Sequence, residues 1–466
     1  ENGAEAEAIR TFAVCDKEDL KPDGKADIYS ENGEYYAVSG DRVCKCDGDF
    51  AKQLLENADI EKRVYDSKKI KKLFPNADGI VDVSLAGYLC NPSSSSYSVE
   101  RLTQEYCVSE PKLSENADAG LKNACAFSML CDTLTNELKS TGQYELLTSI
   151  EIPLALVLAE METTGFLVDC GGLKNMNSEL EQRINVISKE IFDLVGYEFN
   201  LNSPKQLGVA LFEKLGLPAK KKTKSGYSTK AEVLEELRYA HPAVGLLLEY
   251  RQLAKLKSTY CEGLQAAVAD DGRIHTTFNQ TETRTGRISS LEPNLQNIPV
   301  RTEEGKRLRE YFTAPDGCVL CDADYSQIEL RVLASIAHDE NMINAFNSGV
   351  DIHTLTASQV FGMPVDMVTP LMRSRAKAVN FGIVYGIGAF SLSKDIGVSR
   401  KEADAYIKGY LATYPEVAKY MDNVITEAKQ NGYVTTLFGR RRYLPELSSS
   451  NAMLRAFGER VARNAP

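Results

Sequence analysis

The stretch CVLCDADYSQIELR, Cys318 to Arg331, starts apolar, places two aspartates, and then turns amphipathic near Ile328. This pattern predicts a strand over 318–326 that delivers Asp324 at its end, followed by a helix. A hard cation such as Mg²⁺ takes oxygen ligands and uses one or two protein carboxylates, with substrate phosphates supplying others. On those terms Asp324 is a candidate ligand, and the backbone carbonyl of Tyr325 is a further one. By alternation Asp322 shares the strand face, and Glu329 lies just inside the helix. A strand-end aspartate also serves as a helix cap, and one aspartate alone does not separate the two readings.

A second stretch, RSRAKAVNFGIVYGIG (373–388), carries Arg373, Lys377, Phe381 and Tyr385 four residues apart. On a helix that spacing sets all four along one face over about 18 Å. Two cations followed by two aromatics, each aromatic with a glycine after it, make an odd core and an odd solvated surface. They suit a nucleotide: the cations hold a triphosphate as point charge and fork, and a ring stacks the base. From Met367 to Ser393 there are three basic residues and no acid.

Around these segments the chain of 466 residues suggests about three domains at roughly 150 residues each. The first 150 residues alternate short strands and helices, from TFAVCD through EYYAVSG to GIVDVSLAGYL, with NPSSSSYS (91–98) as a loop. From about residue 150 the apolar spacing becomes helical. The helices enclose a basic insertion, Lys220-Lys221-Lys222-Thr-Lys224, with no acid between Glu213 and Glu232. With 43% apolar and 26% charged residues the chain can bury a large core. No run reaches the ~18 apolar residues of a membrane span, so no membrane partner is expected. The net charge of −11 argues against a wholly basic nucleic-acid coat, though not against a local basic cleft. Eleven scattered cysteines favour a reducing, cytoplasmic setting. Cys318-x-x-Cys321 lacks the second pair that zinc needs, and a buried strand is the expected role of that segment. The start lacks both Met and a signal peptide, as in a domain excised from a longer protein.

Together the two stretches resemble the signature motifs of the family A DNA polymerases, the bacterial DNA polymerase I type. DYSQIELR and the pattern R-x3-K-x3-F-G-x2-Y-G match completely. The likeness continues through TRTGRISSLEPNLQNIPVRTEEGKRLRE (283–310), DIHTLTA (351–357), GRRRYLPEL (439–447) and EYRQLAKLKSTY (249–260). The resemblance implies an α/β multidomain fold: a degenerate 3′–5′ exonuclease-like, ribonuclease H-like domain over 1–150, then a right-hand polymerase. Its thumb and first palm segment would span 151–300 and the palm strand 301–335. The fingers would follow over 336–447, and the palm would begin to return at 448–466.

Residue by residue, the resemblance makes Asp324 and Tyr325 metal ligands and has Glu329 crowd the sugar 2′ position. Arg373, Lys377 and His353 would contact the triphosphate, with Lys377 assisting the leaving pyrophosphate. Phe381 would face the nucleotide, and Tyr385 would stand at the template position. Arg287, Asn294, Gln296 and Gln327 would touch the duplex minor groove, while Arg251, Lys255, Arg460 and Asn464 would position primer and template. The implied cofactors are two Mg²⁺ ions, with Mn²⁺ able to substitute. The implied partners are primer–template DNA and deoxynucleoside triphosphates, for a monomer in the bacterial nucleoid. Lys220, Lys221 and Lys222 then become phosphate contacts, with a solvated loop as the other reading. Arg440-Arg441-Arg442 likewise stays open between phosphate contacts and a solvated basic turn.

The pattern breaks twice. Relatives continue after Asn-Ala-Pro into a His-Asp-Glu strand that supplies the second metal-binding carboxylate, and the sequence carries that tripeptide only at 338–340, ahead of Asn-Ala-Pro. The expectation is therefore a polymerase as the parent protein. The alternative for this polypeptide is a catalytically incomplete DNA-binding fragment. In the first 150 residues Asp16-x-Glu18, Asp66 and Asp82 fall near exonuclease acids, but LKNACAFSMLCDTL (121–134) lacks the Tyr-x3-Asp element. A scaffold without proofreading is expected, and a nuclease working through those four acids is the third reading.

Overall fold

The computed structural model describes residues 10–114, 117–219, 222–223, 226–300 and 302–466. Its amino-terminal part is built on a seven-stranded mixed sheet. The strands are β1 (Thr11–Val14), β2 (Lys25–Glu31), β3 (Glu34–Ser39), β4 (Arg42–Cys46), β5 (Glu61–Val64), β6 (Ile80–Asp82) and β7 (Lys112–Leu113). They lie in the order β6-β5-β2-β3-β4-β1-β7. β2, β3 and β4 run antiparallel through tight turns, whereas β5 and β6 join parallel to β2 and to each other. Period-two alternation divides the side chains between two cores. Tyr29, Tyr36 and Val38 face a cluster with helices α1 (Val83–Cys90) and α2 (Ala119–Thr141), and Ile28, Ala37 and Cys44 face a second cluster on the other side.

The chain divides into two units. One comprises Leu158–Asn279 and Ile288–Cys321, and the other holds the described residues up to Val157 together with Gln280–Arg287 and Asp322–Pro466. The first of these contains the long helix α3 (Cys170–Val195), capped by Asp169 accepting from Gly172 N at 3.0 Å. Its buried Leu173, Met176, Leu180, Ile187 and Ile191 recur three and four apart and pack on α4 (Pro242–Lys255). A short three-stranded sheet, Phe166–Val168 between Arg273–Ile274 and Phe312–Thr313, closes that core.

In the other unit the carboxy-terminal half is helical. It contains α5 (Ile328–Ala337), α6 (Ile352–Phe361), α7 (Pro370–Val384) and α8 (Ala452–Asn464). Leu333, Ala334, Val379 and Ile383 from α5 and α7 share a core with Tyr410, Tyr414 and Val417. A hairpin of Tyr433–Thr435 and Arg441–Tyr443 precedes α8.

The strand predicted over 318–326 does not form. These residues carry no regular secondary structure, and Val319 and Leu320 are 88% and 55% exposed. An apolar run becomes a strand only when a neighbouring strand satisfies its N–H and C=O groups, and among the described residues nothing pairs with this one. Cys318 and Cys321 are accordingly exposed free thiols and not part of a buried strand.

Candidate active site

Helix α7 forms where expected. Thr369 caps it by accepting from Met372 N, Pro370 sits at its first position, and it stops at Tyr385 before Gly386 turns with φ +67°. Arg373 and Lys377 are exposed on the predicted face, Phe381 is half-buried, and Tyr385 is exposed at the helix end. The Lys377 ammonium lies 6.0 Å from the Phe381 ring centre, at the limit of a cation–π contact.

Two neighbours of this face were not legible in the sequence. Arg373 makes a two-pronged pair with Asp351, Nε to Oδ2 and Nη2 to Oδ1, both at 2.9 Å. Asp351 also caps α6, accepting from the Thr354 amide at 2.8 Å and its hydroxyl at 2.7 Å. Partial burial opposes the charge on Asp351, but Arg373 and Thr354 outweigh it and hold the carboxyl well below the usual range. The second neighbour is Asn380, whose Nδ2 donates to His353 Nδ1 at 2.8 Å.

His353 is 2% exposed, and its ring packs 5.7 Å from Phe381. Burial pushes its pKa down, and Arg373 and Lys377 push the same way while Asp351 opposes them. The structure therefore does not present His353 to solvent as a phosphate contact. Neutral and buried, it supports the Phe381 and Asn380 face from behind.

Four other predicted residues line one cavity of about 240 Å³: Arg287, Glu329, Tyr385 and Asn464. Its wall also includes Val332 and Tyr420. Arg460 is exposed on α8, and the tight approach of its Cγ to Gly386 leaves 2.7 Å for an added Cβ, so only glycine fits there. Asp324 and Tyr325 are exposed, Tyr325 by 78%. Asp324 does not cap α5: Gln327 holds the cap position, in the left-handed region at φ 55° and with no side-chain cap bond. Arg331 folds back to donate to Ser326 O at 3.0 Å.

The other unit holds Arg251, Lys255, Asn294 and Gln296. Arg251 Nη1 donates to Thr229 O at 2.5 Å, and burial lowers the pKa of the guanidinium. Lys255 is exposed one turn further along α4. Gln296 donates to Ile288 O at 3.0 Å, and its amide bonds Asn294 Oδ1 at 3.0 Å. Lys220 and Lys221 lie outside the described residues. Lys222 lies in the two-residue strand Lys222–Thr223.

Of Arg440-Arg441-Arg442, Arg440 and Arg442 are drawn into the fold, while the Arg441 guanidinium stacks on the Tyr433 ring at 4.4 Å and stays half-exposed. Arg440 pairs with Glu151, the Arg441 amide donates to Gln143 Oε1 at 2.9 Å, and Arg442 is 8% exposed beside Ser93. The run fastens the hairpin to the amino-terminal part of its own unit.

Of the amino-terminal acids, Asp66 and Asp82 lie near each other: burial, with the Asp82 charge adding to it, pushes the Asp66 carboxyl up. Asp16 and Glu18 are exposed around a one-turn 3₁₀ helix. Asp66 caps the helix Ser67–Leu73, and Asp82 caps α1 while also accepting from Ser67 N at 2.6 Å. The buried carboxylate on β2, Asp27, takes Arg63 as its partner, and Arg63 also reaches Asp132 on α2 at 2.5 Å. Among the described residues no group of three or more His, Cys, Asp or Glu is arranged to hold a metal ion. No described helix is long and apolar enough to cross a membrane.

A sequence model of the family described as DNA polymerase family A matches residues 170–466. The chain is 45% identical to DNA polymerase I of Bacillus subtilis (strain 168), an alignment covering 94% of this chain and 52% of that protein. It is 51% identical to DNA polymerase I of Bacillus caldotenax, over 77% of this chain and 41% of that protein. The chain thus spans about half the length of the curated relatives it matches. Among solved structures it is similar to the POL domain of Pol1 from M. smegmatis in complex with DNA primer-template and dNTP. That match has a TM-score of 0.85 at 37% identity and covers 95% of this chain and 81% of that chain.

Proposed function

The chain belongs to DNA polymerase family A, and from that premise we propose that the protein is a template-directed DNA polymerase. It adds deoxynucleotides to a primer 3′ end without proofreading. The observation that carries this reading is the α7 face, where Arg373, Lys377, Phe381 and Tyr385 line up beside a cavity shared by Arg287, Glu329 and Asn464. Phosphoryl transfer needs positioning and charge neutralisation more than covalent help, and this face offers both. Arg373 leaves Asp351 to fork the triphosphate, Lys377 neutralises the leaving pyrophosphate, and Phe381, backed by His353, receives the nucleotide. Tyr385 and Glu329 border the space next to the base pair. Arg251, Lys255, Arg460, Asn294, Gln296, Gln327, Lys220, Lys221 and Lys222 are assigned to DNA, in contacts that are largely sequence-blind.

The donors for a divalent cation are the Asp324 carboxylate and the Tyr325 carbonyl, which suit a hard ion completed by substrate phosphates. A bound cation supplies charge neutralisation at the phosphoryl oxygens. On this reading two divalent ions bind, Mg²⁺ or Mn²⁺, toward which this chain offers Asp324 and Tyr325; among the described residues no group of three or more His, Cys, Asp or Glu is arranged for a metal. The absence of proofreading is supported by Asp66 and Asp82 being spent on helix caps and Asp27 on Arg63.

The test is extension of a labelled primer–template with Mg²⁺. Asp324→Ala is expected to abolish extension while duplex affinity changes less than about tenfold, because DNA affinity rests mainly on phosphate contacts elsewhere. Extension retained by Asp324→Ala overturns the assignment.

A further inference from the structure

Residues 280–287 carry Arg287 into the cavity it shares with Glu329, Tyr385 and Asn464. This short segment is held at both ends by side chains from the amino-terminal part of the same unit. Gln280 donates to the Glu151 carbonyl and carboxylate, both at 3.1 Å. At the other end the Tyr88 hydroxyl, on α1, works in two directions: it donates to Thr283 O at 2.8 Å and accepts from Gly286 N at 3.1 Å. Within that turn the Thr283 hydroxyl donates to Arg287 O at 2.7 Å. The chain of bonds thus runs from the Tyr88 hydroxyl through the 283–286 turn to the backbone of Arg287.

The Tyr88 hydroxyl has little freedom to do anything else. Its ring is fully buried, lies edge-on to Tyr97 at 5.8 Å and has the Arg440 guanidinium 5.6 Å from its centre. Gly286 sits at φ +80°, where an added Cβ would come within 2.7 Å of Arg440 Nε. The turn is therefore clamped between Arg440 on one side and the Tyr88 hydroxyl on the other. A turn fixed in this way presents Arg287 in one orientation, which saves the ordering cost that a mobile arginine incurs on binding.

We propose that Tyr88 is a positioning residue for Arg287, so that the amino-terminal domain, whose described acids assemble no metal cluster, acts as a buttress for the DNA-binding site. The proposal rests on the polymerase reading, because it takes Arg287 to contact the primer–template.

Tyr88→Phe keeps the ring and its packing and removes only the hydroxyl. Tyr97→Phe is the control: it removes a neighbouring hydroxyl whose hydrogen bond goes to Asn91 O at 2.9 Å and not to the backbone of the 283–287 turn. Two quantities are read on the full chain, primer–template dissociation constant and hydrogen exchange of the amides of 283–287. Loss of such hydrogen bonds corresponds to about a three- to tenfold change. Tyr88→Phe is expected to weaken duplex affinity and to speed Gly286 exchange by about that factor. Tyr97→Phe is expected to change neither. In an Arg287→Ala background Tyr88→Phe is expected to weaken affinity by less than about twofold, since coupled residues are not additive.

Unchanged affinity in Tyr88→Phe, unchanged Gly286 exchange, or an equal loss in the Arg287→Ala background overturns the proposal alone. A parent chain that binds no primer–template overturns the polymerase reading and the proposal with it.

Discussion

Asp351 shows how one side chain sets the state of the candidate nucleotide site. It caps α6, whose second residue is His353, and occupies both prongs of Arg373. On the proposed reading, an incoming triphosphate takes Arg373 from a carboxylate that stays ionised throughout the physiological range. His353 behaves oppositely. Because burial lowers its folded pKa, the unfolded chain binds the extra proton first. The stability His353 contributes is complete above its unfolded value of about 6.5 and is lost as pH falls below it. His353→Gln keeps an acceptor for Asn380 but cannot titrate. It is expected to flatten the decline of the urea midpoint between pH 7 and pH 5. A decline as steep as the parent's would mean that His353 is not held neutral.

At the scale of elements, α7 was legible because its four-residue spacing is local and needs no partner to be recognised. Its interior is less forgiving than its sequence suggests. An added Cβ at Gly382 would meet Ile387 Cγ2 at 2.5 Å. Alanine gains about 1 kcal/mol of helix propensity over glycine, whereas overpacking a filled site costs about 1–3 kcal/mol. Gly382→Ala is therefore expected to lower the melting temperature, and a clear rise would show that Ile387 moves aside freely.

The amino-terminal sheet offers a second case. Arg63 and Asp27 are both nearly inaccessible, at 4% side-chain exposure each, and Arg63 ties β5 to β2 and to α2. Arg63→Ala strands a buried carboxylate, and about 3–5 kcal/mol of destabilisation is expected in urea unfolding. A loss below about 1 kcal/mol would mean that Asp27 finds another partner or water. This pair was not legible in the sequence, because Asp27 and Arg63 lie 36 residues apart and meet only once β2 and β5 pair.

Over the whole molecule, what could be read from sequence was what neighbouring residues settle among themselves. The α/β class, the α7 face and the loop at 91–98 belong to that kind. The 318–326 strand did not form because an apolar run specifies a strand only when another strand lies beside it. The anchoring of Arg440–Arg442 was invisible because Glu151, Gln143 and Ser93, its partners, lie 289 to 349 residues earlier. The net charge of −11 says little about DNA, since the cations assigned to it are a small local subset.

The measurement that bears most directly on the central claim is single-nucleotide addition to a labelled primer on four templates differing in the next base. Each deoxynucleoside triphosphate is supplied alone with Mg²⁺. The account predicts one-residue extension only where the supplied nucleotide complements the template base. Extension that ignores the template base, or none on any template, would contradict it.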